Sequence, residues 1–252
     1  KRASDGDGRI TILRNPVAVR WGHRSQVEAI RRLITAALRR PFDYAHLISG
    51  TDWPVISREA MAEGIHHDGG DKCYIESEPS WLEARMQTFR LDSRWLRVDP
   101  HRNRMAYSVA WELRRISRWI DTRRKHPRPA PYGSWRKGAT WWSLPHDVLE
   151  RVEAGLAFLS RTRRLSGTVC ADEHAAQTIG ASVCPERIAP NRRFVDFPAG
   201  DSSPRLLSAQ DWPAIAQSDA WFMRKVSLSF DPFFVTAPDT TGTLDTSLDI
   251  TA

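Results

Sequence analysis

Apolar residues recur at helical spacing along 25–38, where Val27, Ile30, Ile34, Ala37 and Leu38 share one face and arginines take the other. Ser25 and Glu28 stand at the head of this run in the arrangement of a capping box. Ahead of it, R-I-T-I-L at 9–13 and V-A-V at 17–19 read as β-structure leading into W-G-H-R-S. Behind it, Y-A-H-L-I-S at 44–49 reads as a buried strand that stops at Gly50 and runs through T-D-W-P into a helix capped by Ser57. K-C-Y-I-E at 72–76, entered through a D-G-G-D turn, predicts a further strand, followed by a helix from Ser80.

The alternation continues. Met105, Val109, Leu113, Ile116 and Ile120 fall near one face of a predicted helix over 105–120, with Arg114, Arg115 and Arg118 elsewhere on it. R-R-K-H-P-R-P-A-P closes that helix as a loop or linker. W-R-K-G-A-T-W-W-S-L-P-H-D-V-L then predicts a short aromatic strand and a helix over 147–159 with Pro145 near its first turn. From Phe230 onward the helical period is lost. Strand-then-helix grammar of this kind predicts one α/β domain over 1–252, a single sheet flanked by helices, with flexible ends at 1–8 and 236–252.

Composition narrows the picture. A chain of 252 residues with 41% apolar content can bury a sizeable core. Its net charge of +7 points to an anionic partner: nucleic acid, an acidic membrane surface or a phosphorylated small molecule. Cys73, Cys170 and Cys184 form no C-x-x-C pair, so a disulfide framework is excluded and a reducing cytoplasm is expected. No stretch approaches the roughly 18 consecutive apolar residues of a membrane span.

Neither G-x-x-x-x-G-K-[ST] nor G-x-G-x-x-G occurs, which argues against P-loop and dinucleotide sites. D-G-D at 5–7 has the spelling of a metal-holding D-x-D but precedes a predicted strand instead of ending one. Cys170, Asp172 and His174 alternate, yet no second ligand pair stands near enough for a zinc site. Trp21, Trp53, Trp141, Trp142 and Trp221 could each stack on a sugar or fill a core. In C-A-D-E-H-A-A-Q-T at 170–178, Asp172 suits a helix N-cap, which places Glu173 in the first turn, where the positive helix end would favour the ionised carboxylate.

Several stretches, in this order, carry a resemblance: W-G-x-x-S at 21–25, S-G-T-D-W-P-V at 49–55, Y-I-E at 74–76, G-A-T-W-W-S-L at 138–144, A-D-E-x-x-x-Q-T at 171–178 and F-M-R-K at 222–225. Over roughly Val17 to Lys225 the chain resembles the core-two/I-branching β-1,6-N-acetylglucosaminyltransferases and peptide O-xylosyltransferases. Ala171 and His23 depart from the family's usual proline and glycine. The resemblance implies a GT-A type, Rossmann-like glycosyltransferase domain, a UDP-sugar donor, inversion at the anomeric carbon and no divalent metal or other cofactor. By it, Glu173 is the catalytic base and Asp172 its support, while Lys225 binds the diphosphate with Arg205, or Arg224 or Arg193, as companion. Glu76, Asp52, Trp53, Trp141 and Trp142 are expected to contact sugar or acceptor. Family members open with a nucleotide-holding strand and helix that this sequence does not show, so the expectation is either a preceding segment outside this sequence or a donor site completed differently.

The donor implied is UDP-N-acetylglucosamine, with UDP-xylose as the alternative. The acceptor implied is a glycan or lipid-linked saccharide, handled by a bacterial cytoplasmic enzyme with peripheral membrane association as a further expectation. The rival class is a nucleic-acid or polyanion-binding module built on R-R-x-x-R at 114–118 and R-R-K-H-P-R at 123–128. No standard nucleic-acid motif is spelled, so nucleic acid is not expected as a partner.

Overall fold

A computed structural model describes residues 10–90, 103–122, 128, 130–200, 203–227, 231 and 233–236. The D-G-D at 5–7, the ends at 1–8 and 237–252 and most of the R-R-K-H-P-R-P-A-P run lie outside the described residues. In chain order the elements are α1 (Ser25–Ala37), β1 (Tyr44–His46), β2 (Asp52–Pro54), α2 (Arg58–His67), β3 (Cys73–Tyr74), β4 (Glu78–Pro79), α3 (Ala84–Gln87) and α4 (Arg104–Thr122). There follow β5 (Arg136–Lys137), β6 (Ser143–Pro145), α5 (His146–Arg161), α6 (Ala175–Val183), β7 (Ile188–Ala189), β8 (Arg193–Val195), α7 (Trp212–Ala216), β9 (Phe222–Arg224) and α8 (Phe233–Thr236). The architecture is mixed α/β. The single sheet expected from the sequence is instead three among the described residues, ordered β1-β6-β3-β7, β2-β9-β8 and β4-β5.

Two compact units are distinguished, one within Lys1–Ala45, Ile75–Thr140 and Leu144–Ile188, the other within His46–Tyr74, Trp141–Ser143 and Ala189–Ala252. The first is built on α5, whose Val148, Leu149, Val152, Leu156 and Leu159 are all buried. Gly155 lets α6 approach: a Cβ there would stand 2.8 Å from Ile179 Cδ1. In the second unit Val55, Leu207, Ile215, Met223, Val226 and Phe234 form one apolar cluster. β9 is its central strand, antiparallel to β2 and parallel to β8, so D-W-P and F-M-R pair directly, Asp52 opposite Arg224 and Trp53 opposite Met223.

Several predicted elements change. Residues 10–13 and 17–19 form no strand; Ile10, Ile12 and Val19 are 48%, 62% and 51% exposed, and Asn15 breaks the run at φ 59°. Alternation without a partner strand does not make a sheet. Ser25 does not cap α1. It is the first helical residue, and its Oγ accepts from the Arg20 N–H at 2.9 Å, while Glu28 pairs with Arg31 and Arg32. Ser57 does cap α2, accepting from Ala60 N–H at 3.1 Å. The helix expected from Ser80 shrinks to α3, four residues long. All three cysteines are buried thiols, and no helix among the described residues is long and apolar enough to cross a membrane.

Candidate active site

In the first unit, A-D-E occupies a single 3₁₀ turn, Ala171–Glu173, and α6 begins only at Ala175. This corrects the reading of Asp172 as an N-cap: no side chain caps either element. Asp172 points inward, accepting from Thr140 Oγ1 at 2.9 Å and Gln26 Nε2 at 3.2 Å, while its Oδ1 is buried without a partner. Burial, only partly offset by Thr140, raises its carboxyl above the usual range.

Glu173 is half-buried beside this anchor. Arg85 Nη1 reaches its Oε2 at 3.4 Å and Lys137 Nζ approaches the same oxygen at 3.9 Å. Oε1 has no partner among the described residues. Burial is the largest influence on this carboxyl and raises it above the ordinary glutamate range; Lys137 and Arg85 pull it down, and Asp172 and Glu76 push it up. The expectation that a helix end would favour the ionised form is thus reversed, because there is no helix end there and burial outweighs the two cations.

The resembling motifs knit this turn in place. Gly22, at φ 65°, donates to Gln26 Oε1 at 2.5 Å and accepts from Cys170 N–H at 2.9 Å, which fastens W-G-x-x-S to the residue before A-D-E. Gly138 N–H donates to the Glu173 carbonyl at 3.0 Å. A Cβ at Gly138 would lie 2.0 Å from the Glu76 carbonyl oxygen, so only glycine fits. The Glu76 carboxylate accepts from Ala139 N–H at 2.8 Å, which sets Y-I-E against G-A-T. Gln177 Nε2 donates to the Ala139 carbonyl at 2.6 Å, and Thr178 Oγ1 accepts from Arg136 N–H at 2.9 Å. The Q-T of A-D-E-x-x-x-Q-T therefore clamps the strand that carries Lys137.

His174 completes the shell. It is fully buried, its Nδ1–H donates to the Cys170 carbonyl at 3.0 Å and its Nε2 faces Ser80 Oγ at 3.2 Å. Burial, with Arg85 and Lys137 adding to it, lowers its pKa below the ordinary histidine value and so disfavours its charged form. Cys170, at φ 52°, and Asp172 and His174 share no strand, contrary to their alternation in sequence. Among the described residues no group of three His, Cys, Asp or Glu is arranged to hold a metal ion.

The second unit holds the basic candidates. Arg224 Nη1 donates to Asp52 Oδ1 at 2.8 Å and Ser49 Oγ at 2.6 Å, and its guanidinium lies 4.4 Å from the Trp141 ring centre. Asp52 Oδ2 accepts from Ser49 N–H at 2.6 Å, which closes the S-G-T-D turn. Asp52, Trp141 and Arg224 thus form one group, with Arg224 held through one nitrogen and by its stack. Lys225 Nζ meets Ser203 Oγ at 2.5 Å and no carboxylate among the described residues. Arg205 is placed differently. Its Nε donates to Asp196 at 2.6 Å, and its Nη1 and Nη2 grip Asp211 at 2.9 and 2.6 Å.

Arg193 is half-buried, donates through Nη2 to the Trp142 carbonyl at 2.9 Å, and has its pKa lowered by desolvation to about 10. Trp142 is only 2% exposed and Trp221 4%, so both serve as core, whereas Trp53 is half-buried and Trp21 is 80% exposed. His46, bonded to Ser143 Oγ at 2.7 Å, has its pKa lowered by burial and by Arg193 to about 4.

Arg85, Lys137, Gln26 and Thr140 were not singled out by sequence, and His174 was weighed only as a zinc ligand. Lys137 lies one residue before the G-A-T motif and could have been found from it; Arg85 is one arginine among many. The model of the Core-2/I-branching enzymes matches residues 9–211. The chain belongs to that family. Core-2/I-branching enzymes are glycosyltransferases, which move a sugar from a donor to a glycan acceptor. No curated protein matches the chain.

Proposed function

We propose that this Core-2/I-branching enzyme is an inverting transferase that moves N-acetylglucosamine from its UDP conjugate to a glycan hydroxyl, with Glu173 as general base. The observation that carries this reading is the asymmetric environment of Glu173. Both neighbouring cations approach Oε2, and Oε1 is left to take a proton. A raised pKa makes the carboxylate a stronger base, and Lys137 and Arg85 act in the opposite direction, favouring its ionised form. The proton of the acceptor hydroxyl passes to Glu173 Oε1 as the acceptor oxygen bonds to C1 and the C1–O bond to UDP breaks.

The departing diphosphate is met by side-chain cations, with Lys225 first. Arg224 supports it, pre-oriented by Asp52 and Trp141. Arg205 is assigned to structure, since two carboxylates already surround it. Glu76 and the half-buried Trp53 remain the acceptor and sugar contacts of the proposal.

The test is a transfer assay over UDP-sugars, UDP-xylose included, in EDTA, beside calorimetry of UDP binding. Glu173→Gln should keep UDP affinity and lose about a hundred- to ten-thousandfold in transfer rate. Lys225→Ala should weaken UDP binding by about tenfold or more. UDP binding that requires manganese would overturn the side-chain-cation part, and near-normal transfer by Glu173→Gln would overturn the base.

A further inference from the structure

The apolar stripe of α4 is turned outward. Met105, Val109, Leu113, Ile116 and Ile120 are 83%, 60%, 43%, 49% and 50% exposed. Steps of three and four residues keep them on one side of a helix that, at 19 residues, is about 28 Å long. The helix is attached by a different side, where Ala110 is 2% exposed and the Phe89 N–H donates to Asp121. A surface helix ordinarily buries such a stripe. Among the described residues nothing covers this one.

The charge on the helix narrows what does. Arg104 and Arg115 are exposed beyond Trp119, which is 53% exposed at one border of the stripe. The helix also carries Arg114 and Arg118, against Glu112 and Asp121 alone. Glu112 is spent on Arg115 at 2.7 Å. A second copy packed stripe to stripe would leave the arginines, on other sides of α4, in water. A nucleic acid would meet the arginines and leave the stripe in water.

An anionic bilayer answers both. Its acyl boundary takes the stripe, Trp119 sits at headgroup level, and phosphate headgroups face the arginines. We propose that α4 is an in-plane anchor that seats this chain on an anionic lipid surface. The helix lies in the interface and does not cross it, in keeping with its content of charge. The inference is independent of the donor and mechanism proposed above, because its test contains no sugar.

The test is flotation of the full chain with phosphatidylcholine vesicles, with and without phosphatidylglycerol, at low and high salt. The chain should float with the anionic vesicles at low salt, and less with neutral vesicles or high salt. Leu113→Glu with Ile116→Glu should lower the bound fraction by about tenfold or more, with thermal unfolding unchanged since both positions are exposed. Arg104→Glu with Arg115→Glu should lower binding to anionic vesicles while sparing the stripe. Absence of flotation with anionic vesicles, or flotation indifferent to both double variants, would overturn the anchor. So would a wild-type dimer that the Leu113→Glu, Ile116→Glu variant dissolves, since a second copy would then cover the stripe.

Discussion

Glu173 carries two cations on one carboxylate oxygen, and this can be read in a pH profile. Lys137 is the largest influence lowering its pKa. Lys137→Met should therefore raise that pKa, and the acid limb of kcat/KM should move to higher pH; an unmoved limb would separate Glu173 from the limiting proton transfer. Asp172 is different in kind. Its Oδ2 holds Thr140 and Gln26, so Asp172→Ala strands two donors and should cost about 1–3 kcal/mol in denaturant unfolding. Asp172→Asn keeps an acceptor oxygen and removes a carboxyl whose burial opposes its charge, so it should stay within about 1 kcal/mol of wild type at neutral pH. Glu173 was legible because it stands in a spelled motif. Its partners were not: nothing in W-R-K-G or E-A-R-M marks one cation of a basic chain as the neighbour of a carboxylate 36 or 88 residues away.

α1 and α4 were legible from their apolar spacing, α2 from its Ser57 cap and α5 from Pro145 and the run at 147–159, and all four lie where these signals put them. Of the strands, β1, β3 and β6 lie within stretches read as strand, but the others were not legible, because the described strands are all two or three residues long and their pairing is set by distant segments. Capping shows the same divide. Ser57 and Ser25 have similar sequence settings, but only Ser57 is followed by backbone N–H groups it can reach. Ser57→Ala should cost about 1 kcal/mol of stability in denaturant unfolding. At the β4–β5 ribbon the close approach of Gly138 to Glu76 backbone leaves no room for a methyl group. Gly138→Ala should cost about 1–3 kcal/mol and lower transfer further than that loss explains, since the Gly138 N–H also holds the Glu173 carbonyl. Denaturant unfolding and single-turnover rates measure the two effects separately.

Across the whole molecule, much of the positive charge is answered locally. Asp211 beside Arg205 has its pKa lowered from 3.8 to about 2. Arg187 holds Asp147 below its ordinary range, and at Asp68 the Tyr74 and Arg192 hydrogen bonds outweigh the opposing effect of burial. Groups lowered on folding contribute stability that is present above their unfolded values and lost as pH falls through the folded ones. The melting temperature should therefore decline as pH falls from about 4 toward 2, and Asp211→Asn should flatten that decline. Asp172 acts in the opposite sense: its contribution is full below its unfolded pKa and is lost as pH rises through the raised folded one. The buried cysteines set the behaviour of the folded chain toward thiol reagents. Burial, with Glu173 adding to it, pushes the Cys170 thiol up to about 11, and Cys73 and Cys184 are equally shielded. Maleimide must wait for the chain to open before it finds a thiolate, so labelling of the native protein becomes a clock for unfolding. A cysteine introduced at Met105, 83% exposed, would be modified first and alone, giving a one-site attachment point for a fluorophore without removal of any native residue but that methionine.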